Sequence, residues 1–216
     1  TTGESECCDA YQQTMILFNK YIESIEGSGM TLERNCIRTW IYVRDIDINY
    51  SGVVNARNDV FKEHQMTADT HFIASTGIGG ESTLTNSLIS IDFLSVKDID
   101  EDDVQYLKAI DFLNPTHEYG VAFERGTRLK LEDTDMCYIS GTASIDNSGH
   151  ILHCGNVLKQ AERLLLNIQA LLKDGESDLS NVGFFVVYLR DISDYSIIYE
   201  MMKSRFPNVP TIIVEG

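Results

Sequence analysis

The chain is short of positive charge. It carries 17 lysines and arginines against 33 aspartates and glutamates, a formal net charge of −16 and a sequence pI of about 4.5. No basic run occurs anywhere in it. Clustered Lys/Arg on phosphate dominates affinity for nucleic acid, so the balance argues against RNA or DNA as a partner. Anionic membrane surfaces are disfavoured for the same reason. A small anion stays compatible, because one or two pre-placed arginines bind it locally against the global field. The sequence also lacks an apolar run long enough to span a bilayer and a recognisable signal peptide. Its five cysteines, Cys7, Cys8, Cys36, Cys137 and Cys154, are odd in number and show neither CxxC nor the Cys/His spacing of a zinc site. They read as reduced thiols in a cytoplasmic protein, with no metal.

What is present is a core and a repeat. A hydrophobic content of 43% over 216 residues is enough to pack one large domain or two small ones. The segment from Arg38 to Phe61 reads like the one from Phe184 to Phe206, and Tyr42-Val43-Arg44-Asp45-Ile46 matches Tyr188-Leu189-Arg190-Asp191-Ile192 at an offset of 188 − 42 = 146. In each, a β-rich run stops at an Asp-containing turn and an amphipathic helix follows, with Asp47 and Asp194 as candidate caps. Upstream, Met15, Ile16, Phe18, Ile22 and Ile25 mark one helical face, and Leu164, Leu165, Ile168, Leu171 and Leu172 another. Downstream, each unit closes with a strand, at 71–75 and 211–214. Each half is therefore helix–strand–helix–strand, which predicts an α/β (α+β) fold: two tandem units, each a sheet with two helices on one face.

The halves differ ahead of the first helix. Alternating runs at 121–131 and 136–145 read as strands leading into the second unit. Counterparts before the first unit are not found, so they are expected to precede Thr1. The division expected is an N-terminal unit over 1–77, a connecting segment over 78–117 with a strand near 88–96 and an acidic loop at 97–103, and a C-terminal unit over 118–216.

Several short motifs, in order, then resemble one family. Cys137-Tyr138-Ile139-Ser140-Gly141-Thr142-Ala143-Ser144, followed by His153-Cys154-Gly155-Asn156 and by Gln160 and Asn167, resembles the Ser-Gly strand and helix of YjgF/RidA (endoribonuclease L-PSP-like) proteins. Thr39-Trp40, Thr76-Gly77-Ile78-Gly79, Asn114-Pro115, Tyr119-Gly120 and Phe123-Glu124-Arg125 are similar to the pattern of the chorismatase-like, two-unit branch. The resemblance covers nearly the whole chain. It implies a trimer of chorismate-mutase-like units and a hydrolase or lyase that releases pyruvate from chorismate or a similar cyclic carboxylate, by acid/base chemistry without metal or organic cofactor. It also implies that the family's catalytic glutamate lies on a strand beyond Gly216. Simpler members hydrolyse enamines and imines, using an arginine on the strand after the second helix. Here that strand reads Pro210-Thr211-Ile212-Ile213, which counts against that chemistry.

Among candidate site residues Arg125 leads, because a guanidinium at a strand end grips a carboxylate bidentately at any physiological pH. The competing reading is a surface ion pair with Glu124 or Glu132. Ser75 and Thr76 can donate to the same carboxylate or cap a turn. The Gly77 stretch can offer backbone N–H groups or be a plain glycine-rich turn, and it lacks the spacing of a phosphate loop. Tyr119 and Tyr138 can line a ring or belong to the core. Cys154 follows the resemblance into the site. No third group orients His153 beside it, so a packed thiol at a strand–helix junction is the alternative to a nucleophile. Arg44 and Arg190 read as structural, and Trp40 as packing.

Overall fold

The computed structural model describes residues 8–216, apart from the side chain of Tyr119; Cys7 lies outside them. The elements run α1 (Ala10–Glu26), α2 (Leu32–Asn35), β1 (Cys36–Val43), α3 (Ile46–Glu63), β2 (Ala74–Gly79), β3 (Ile89–Ser95), β4 (Val104–Leu107), β5 (Gly126–Lys130), β6 (Asp135–Ile139), α4 (Val157–Asp174), β7 (Phe185–Leu189), α5 (Tyr195–Arg205) and β8 (Thr211–Glu215). They form two compact units, one of Thr1–Tyr106 with Pro115–Gly141, the other of Leu107–Asn114 with Thr142–Gly216.

In the first unit β1 is central, parallel to β2 and antiparallel to β3. Successive strand residues face opposite ways, and the packing shows which way each set points. Thr39, Ile41 and Val43 look toward the helices, where Ile41 and Val43 meet Ala10 and Leu17 of α1 and Val53 of α3. Farther along, Phe18 and Ile22 of α1 pack with Val60 and Phe61 of α3 and Phe72. Phe18 meets Phe61 and Phe93 edge-on, with ring centroids 6.1 and 5.3 Å away. α1 starts where it does because Asp9 accepts from Gln12 N at 2.8 Å while the Gln12 side chain accepts from Asp9 N at 3.2 Å. A second sheet, in the order β4-β5-β6, packs Leu129 on Ile37 and Ile99.

In the second unit β7 and β8 pair in parallel, and Leu165 of α4, Phe185 and Leu189 of β7, and Ile198 and Met202 of α5 share one core. Both units thus lay two long helices on one face of a sheet, the architecture expected from the repeat.

Element boundaries moved for local reasons. The expected strand at 71–75 is instead Ala74–Gly79, registered on β1 from Arg38↔Ala74 to Val43↔Gly79, so the glycine-rich stretch is strand and not turn. Gly77 makes this possible: a Cβ there would lie 2.7 Å from Cε2 of Tyr50. The run 121–131 keeps only Gly126–Lys130 as strand. Side chains take the ladder's place before it. Asn58 of α3 bonds Gly120 O and Ala122 N, at 3.0 and 3.2 Å, and the Thr116 hydroxyl bonds the N and O of Phe123. The run 136–145 ends at Ile139, and beyond it Asn167 Nδ2 donates to Ala143 O and Ile145 O, at 3.1 and 3.0 Å. α3 is preceded by Asp45 in the left-handed region, φ 47°, with Asp47 in the first turn where a carboxylate suits the helix dipole. Asp194 precedes α5 without a side-chain cap, and Asp191 instead accepts from Ser193 N at 2.9 Å.

Candidate carboxylate site

The site grows out of the alternation along β2. Ser75 faces the helical layer with Thr39, its partner on β1, and the Thr39 hydroxyl donates to Ser75 Oγ at 2.8 Å. Arg57, on α3, points down onto the same oxygen at 3.4 Å and is 1% exposed. Beside β2 runs the segment that carries Arg125, held by a parallel bridge between Ala74 and Glu124 and by Glu124 N donating to Ile73 O at 3.1 Å. Arg125 is 4% exposed. One phenyl ring, that of Phe123, lies 5.7 Å from the Arg57 guanidinium carbon and 5.5 Å from that of Arg125. Two always-charged planar forks therefore gather about one aromatic ring beside a buried hydroxyl.

On the opposite face of the sheet stand Arg38, Trp40 and Thr76. Arg38 stacks over the Trp40 indole at 4.9 Å and donates to Thr76 Oγ1 at 2.5 Å and to Ser140 Oγ at 3.2 Å. Trp40 is half-buried, and its packing partner on this face is the Arg38 guanidinium. Ser75 and Thr76, adjacent in sequence, serve different arginines because neighbours on a strand point apart.

The structure brings Arg125 and Ser75 together through Arg57 and Phe123, and sets Thr76 behind them with Arg38. Gly77 is on β2 facing Tyr50. Tyr119 ends the 3-10 turn Thr116–Tyr119, and its side chain lies outside the described residues. Cys154 belongs to the second unit. It is exposed, in a turn where His153 has φ 62°, so the strand placement and the packed-thiol reading are both corrected. Arg125 is buried, which removes the reading as a surface group, and the Glu124 carboxylate is turned away to accept from Phe72 N at 2.9 Å. Nearby, the His71 ring stacks on Tyr106 at 4.4 Å. Burial first, then the charges of Glu124 and Glu101, push the Tyr106 phenol well above its ordinary value, so it stays a neutral donor.

Sequence reasoning missed Arg38, Arg57 and Ser140 as members of the cluster. A signal for Arg57 exists in the helix, since it stands among Val53, Ala56, Val60 and Phe61 on the buried face of α3, where a charge needs a reason. Arg44 is structural as read, donating to the carbonyls of Thr85, Ser82 and Leu84. Guanidiniums beside an aromatic ring are of the chemical type that suits a planar carboxylate. No group of three or more His, Cys, Asp or Glu side chains suited to a metal ion occurs among the described residues, and no helix among them is long and apolar enough to cross a membrane.

Comparison with known proteins bears on the family and the fold. Residues 127–214 match the model of the family described as Endoribonuclease L-PSP. The 3-aminoacrylate deaminase RutC of Acinetobacter baylyi is 29% identical over 73 residues, which is 34% of this chain and 58% of that protein. The 2-iminobutanoate/2-iminopropanoate deaminase of Capra hircus is 36% identical over 69 residues, 32% of this chain and 50% of that protein. The chain thus spans about half the length of the curated relatives it matches. A chorismatase crystal structure at 1.08 Å resolution superposes with a TM-score of 0.81 at 23% identity, covering 99% of this chain and 67% of the other. Residues 127–214 therefore carry a region of the Endoribonuclease L-PSP family, and the chain over nearly its whole length shares the fold of that chorismatase structure.

Proposed function

We propose that this protein is a cofactor-free hydrolase or lyase of the chorismatase kind, acting on chorismate or a similar small cyclic carboxylate with release of pyruvate. The observation that carries the proposal is the pair of buried guanidiniums, Arg57 and Arg125, about the Phe123 ring. A carboxylate on a ring offers both an anion for the forks and a flat face for the aromatic group. Chemistry on such a ligand is general acid/base catalysis. Arg125, Arg57 and Ser75 serve as anchors in it, with Tyr119, Gly77, Thr76 and Cys154 as further candidates. Assembly as a homotrimer and residence in the cytoplasm complete the proposal. The test is pyruvate release when the full-length protein meets chorismate, followed through a coupled dehydrogenase. No pyruvate from folded protein overturns it.

The second reading is an imine deaminase, favoured by the deaminases matched in sequence. Against it stands β8, Thr211–Glu215, which carries no arginine. Ammonia release from freshly generated 2-iminopropanoate, faster than the uncatalysed rate, would select this reading instead.

A further inference from the structure

We propose that Ser140 is a positioning residue, a clamp that sets where the Arg38 and Arg125 side chains stand; this rests on reading the arginine cluster as a carboxylate site. A serine hydroxyl has one proton to give and two lone pairs to offer. Ser140 commits all three: its Oγ accepts from Ser75 N at 2.9 Å and from Arg38 at 3.2 Å, and donates to Glu124 O at 2.5 Å. Its own N–H donates to Arg125 O at 2.9 Å. The next residue continues the grip, with Gly141 N donating to Ser75 O at 3.1 Å. The fit there is close, because a Cβ on Gly141 would sit 3.2 Å from Cγ2 of Thr76 and would have to push that methyl aside by a few tenths of an ångström. Ser140-Gly141 therefore holds β2 by both backbone groups of Ser75, the Arg125 segment by two consecutive carbonyls, and the Arg38 guanidinium by the hydroxyl. Ser140, Ser75, Arg38 and Arg125 are all buried, while Glu124 is half-buried and Gly141 lies at the exposed edge.

Taking the hydroxyl away leaves Ser75 N, the Glu124 carbonyl and Arg38 each short of one bond, the Ser75 and Arg38 groups in the buried interior and the carbonyl at its edge. Buried polar groups do not accept such a loss in place, so the strand and the Arg125 segment shift relative to one another. Positioning through a shared hydroxyl affects substrate capture before it affects chemistry, because the one proton and two lone pairs of the Ser140 hydroxyl are already engaged by Glu124, Ser75 and Arg38.

The test uses Ser140→Ala and Ser140→Cys in the full-length protein, with Leu165→Ala, in the core of the second unit, as a stability control. Three readouts apply: hydrogen exchange at the Ser75 amide, emission of Trp40, which is the single tryptophan, and KM and kcat for pyruvate release from chorismate. In Ser140→Ala the Ser75 amide exchanges about tenfold faster or more, Trp40 emission shifts as Arg38 leaves the indole, and KM rises about tenfold with kcat within about threefold. Ser140→Cys, nearly isosteric but a weaker hydrogen-bonding group, falls between. Leu165→Ala lowers the unfolding midpoint and moves none of the three. A Ser140→Ala protein indistinguishable from Leu165→Ala in these readouts overturns the inference. If the unsubstituted protein releases no pyruvate, or Arg125→Ala leaves KM unchanged, the carboxylate reading fails by itself. The Ser75 and Trp40 readouts then decide the clamp alone.

Discussion

The two units present different side chains at matching places. At the offset that relates Tyr42 to Tyr188, Arg38 and Trp40 correspond to Phe184 and Val186, and Arg57 to Lys203. Trp40 pairs with Thr76 as Val186 pairs with Ile212, so Thr76 corresponds to Ile212. Both strand pairs even end alike, with Gly80 N donating to Val43 O at 3.1 Å and Gly216 N to Leu189 O at 2.9 Å. Yet the first unit carries a cation, an indole and a hydroxyl on the helix-free face. The second carries Phe184, Val186, Ile212 and Val214 exposed within the described residues, Phe184 to 64%. Arg57 is buried under its helix while Lys203 lies at the surface over the Tyr199 ring, 5.5 Å from its centroid. A duplicated strand–helix scaffold requires a repeat only at the positions that pack. The remaining positions were free to become polar machinery in one copy and apolar surface in the other.

That contrast can be broken most forcefully in the core. Phe18→Ala removes a fully buried ring with two edge-on aromatic partners and is expected to cost about 3–5 kcal/mol, read from urea unfolding. A loss below about 1 kcal/mol would mean that the helical layer of the first unit is not packed as described.

The next effect bears on the site. Arg125→Ala and Arg57→Ala are each expected to weaken chorismate capture by more than about tenfold, as kcat/KM for pyruvate release, whereas Lys203→Ala changes it by less than about twofold. Equal effects of Arg57→Ala and Lys203→Ala would erase the functional difference between the units.

Thiol chemistry gives a subtler contrast. Cys36, in the first core, is buried and its thiol is pushed up to about 12 by that burial, while Cys154 of the second unit is exposed. Iodoacetamide at pH 8 should label Cys154 long before Cys36, since only the thiolate attacks. Mass spectrometry of partially labelled protein checks the order, and early labelling of Cys36 would show that its core opens readily.

The smallest effect is electrostatic. Asp146, Asp178 and Asp191, all in the second unit, have carboxyls held below the usual 3.8. Chiefly responsible are the backbone N–H of His150, the side chain of Ser180 and the backbone N–H of Ser193 respectively. A depressed folded value means stability that is present above 3.8 and lost as the pH falls through the lower folded values. Asp178 and Asp191 are exposed and Asp146 only half-buried, so the loss is slight, and Asp146→Asn should flatten the acid limb of the unfolding-midpoint profile only slightly. An unchanged acid limb in the triple Asn variant would show that these turns do not couple to folding.

Much of the fold was legible because periodicity and the repeat are local. The helical faces of α1 and α4 and the strands β1, β3, β7 and β8 follow from spacing alone. The Ala74–Gly79 strand was hidden because glycine reads as turn until Tyr50 is seen filling the space a side chain would take. The segment 121–123 looked like strand because alternation says nothing about whether Asn58 and Thr116 will satisfy its backbone instead. At the site, Arg125 was found through a motif. Arg57 and Arg38 lie 68 and 87 residues earlier, and no spacing rule connects them to it.

Composition and pattern by themselves determined the acidic charge balance, the duplicated scaffold and the family the chain resembles. These depend on sums over the chain or on neighbours a few residues apart. Tertiary structure alone decided that Ser75 and Thr76 serve different arginines, that Phe123 gathers Arg57 and Arg125, and that Ser140 ties β2 to the Arg125 segment. Such contacts exist only once strands distant in sequence are in register, because hydrogen bonds and stacking act over a few ångströms of space whatever the separation along the chain.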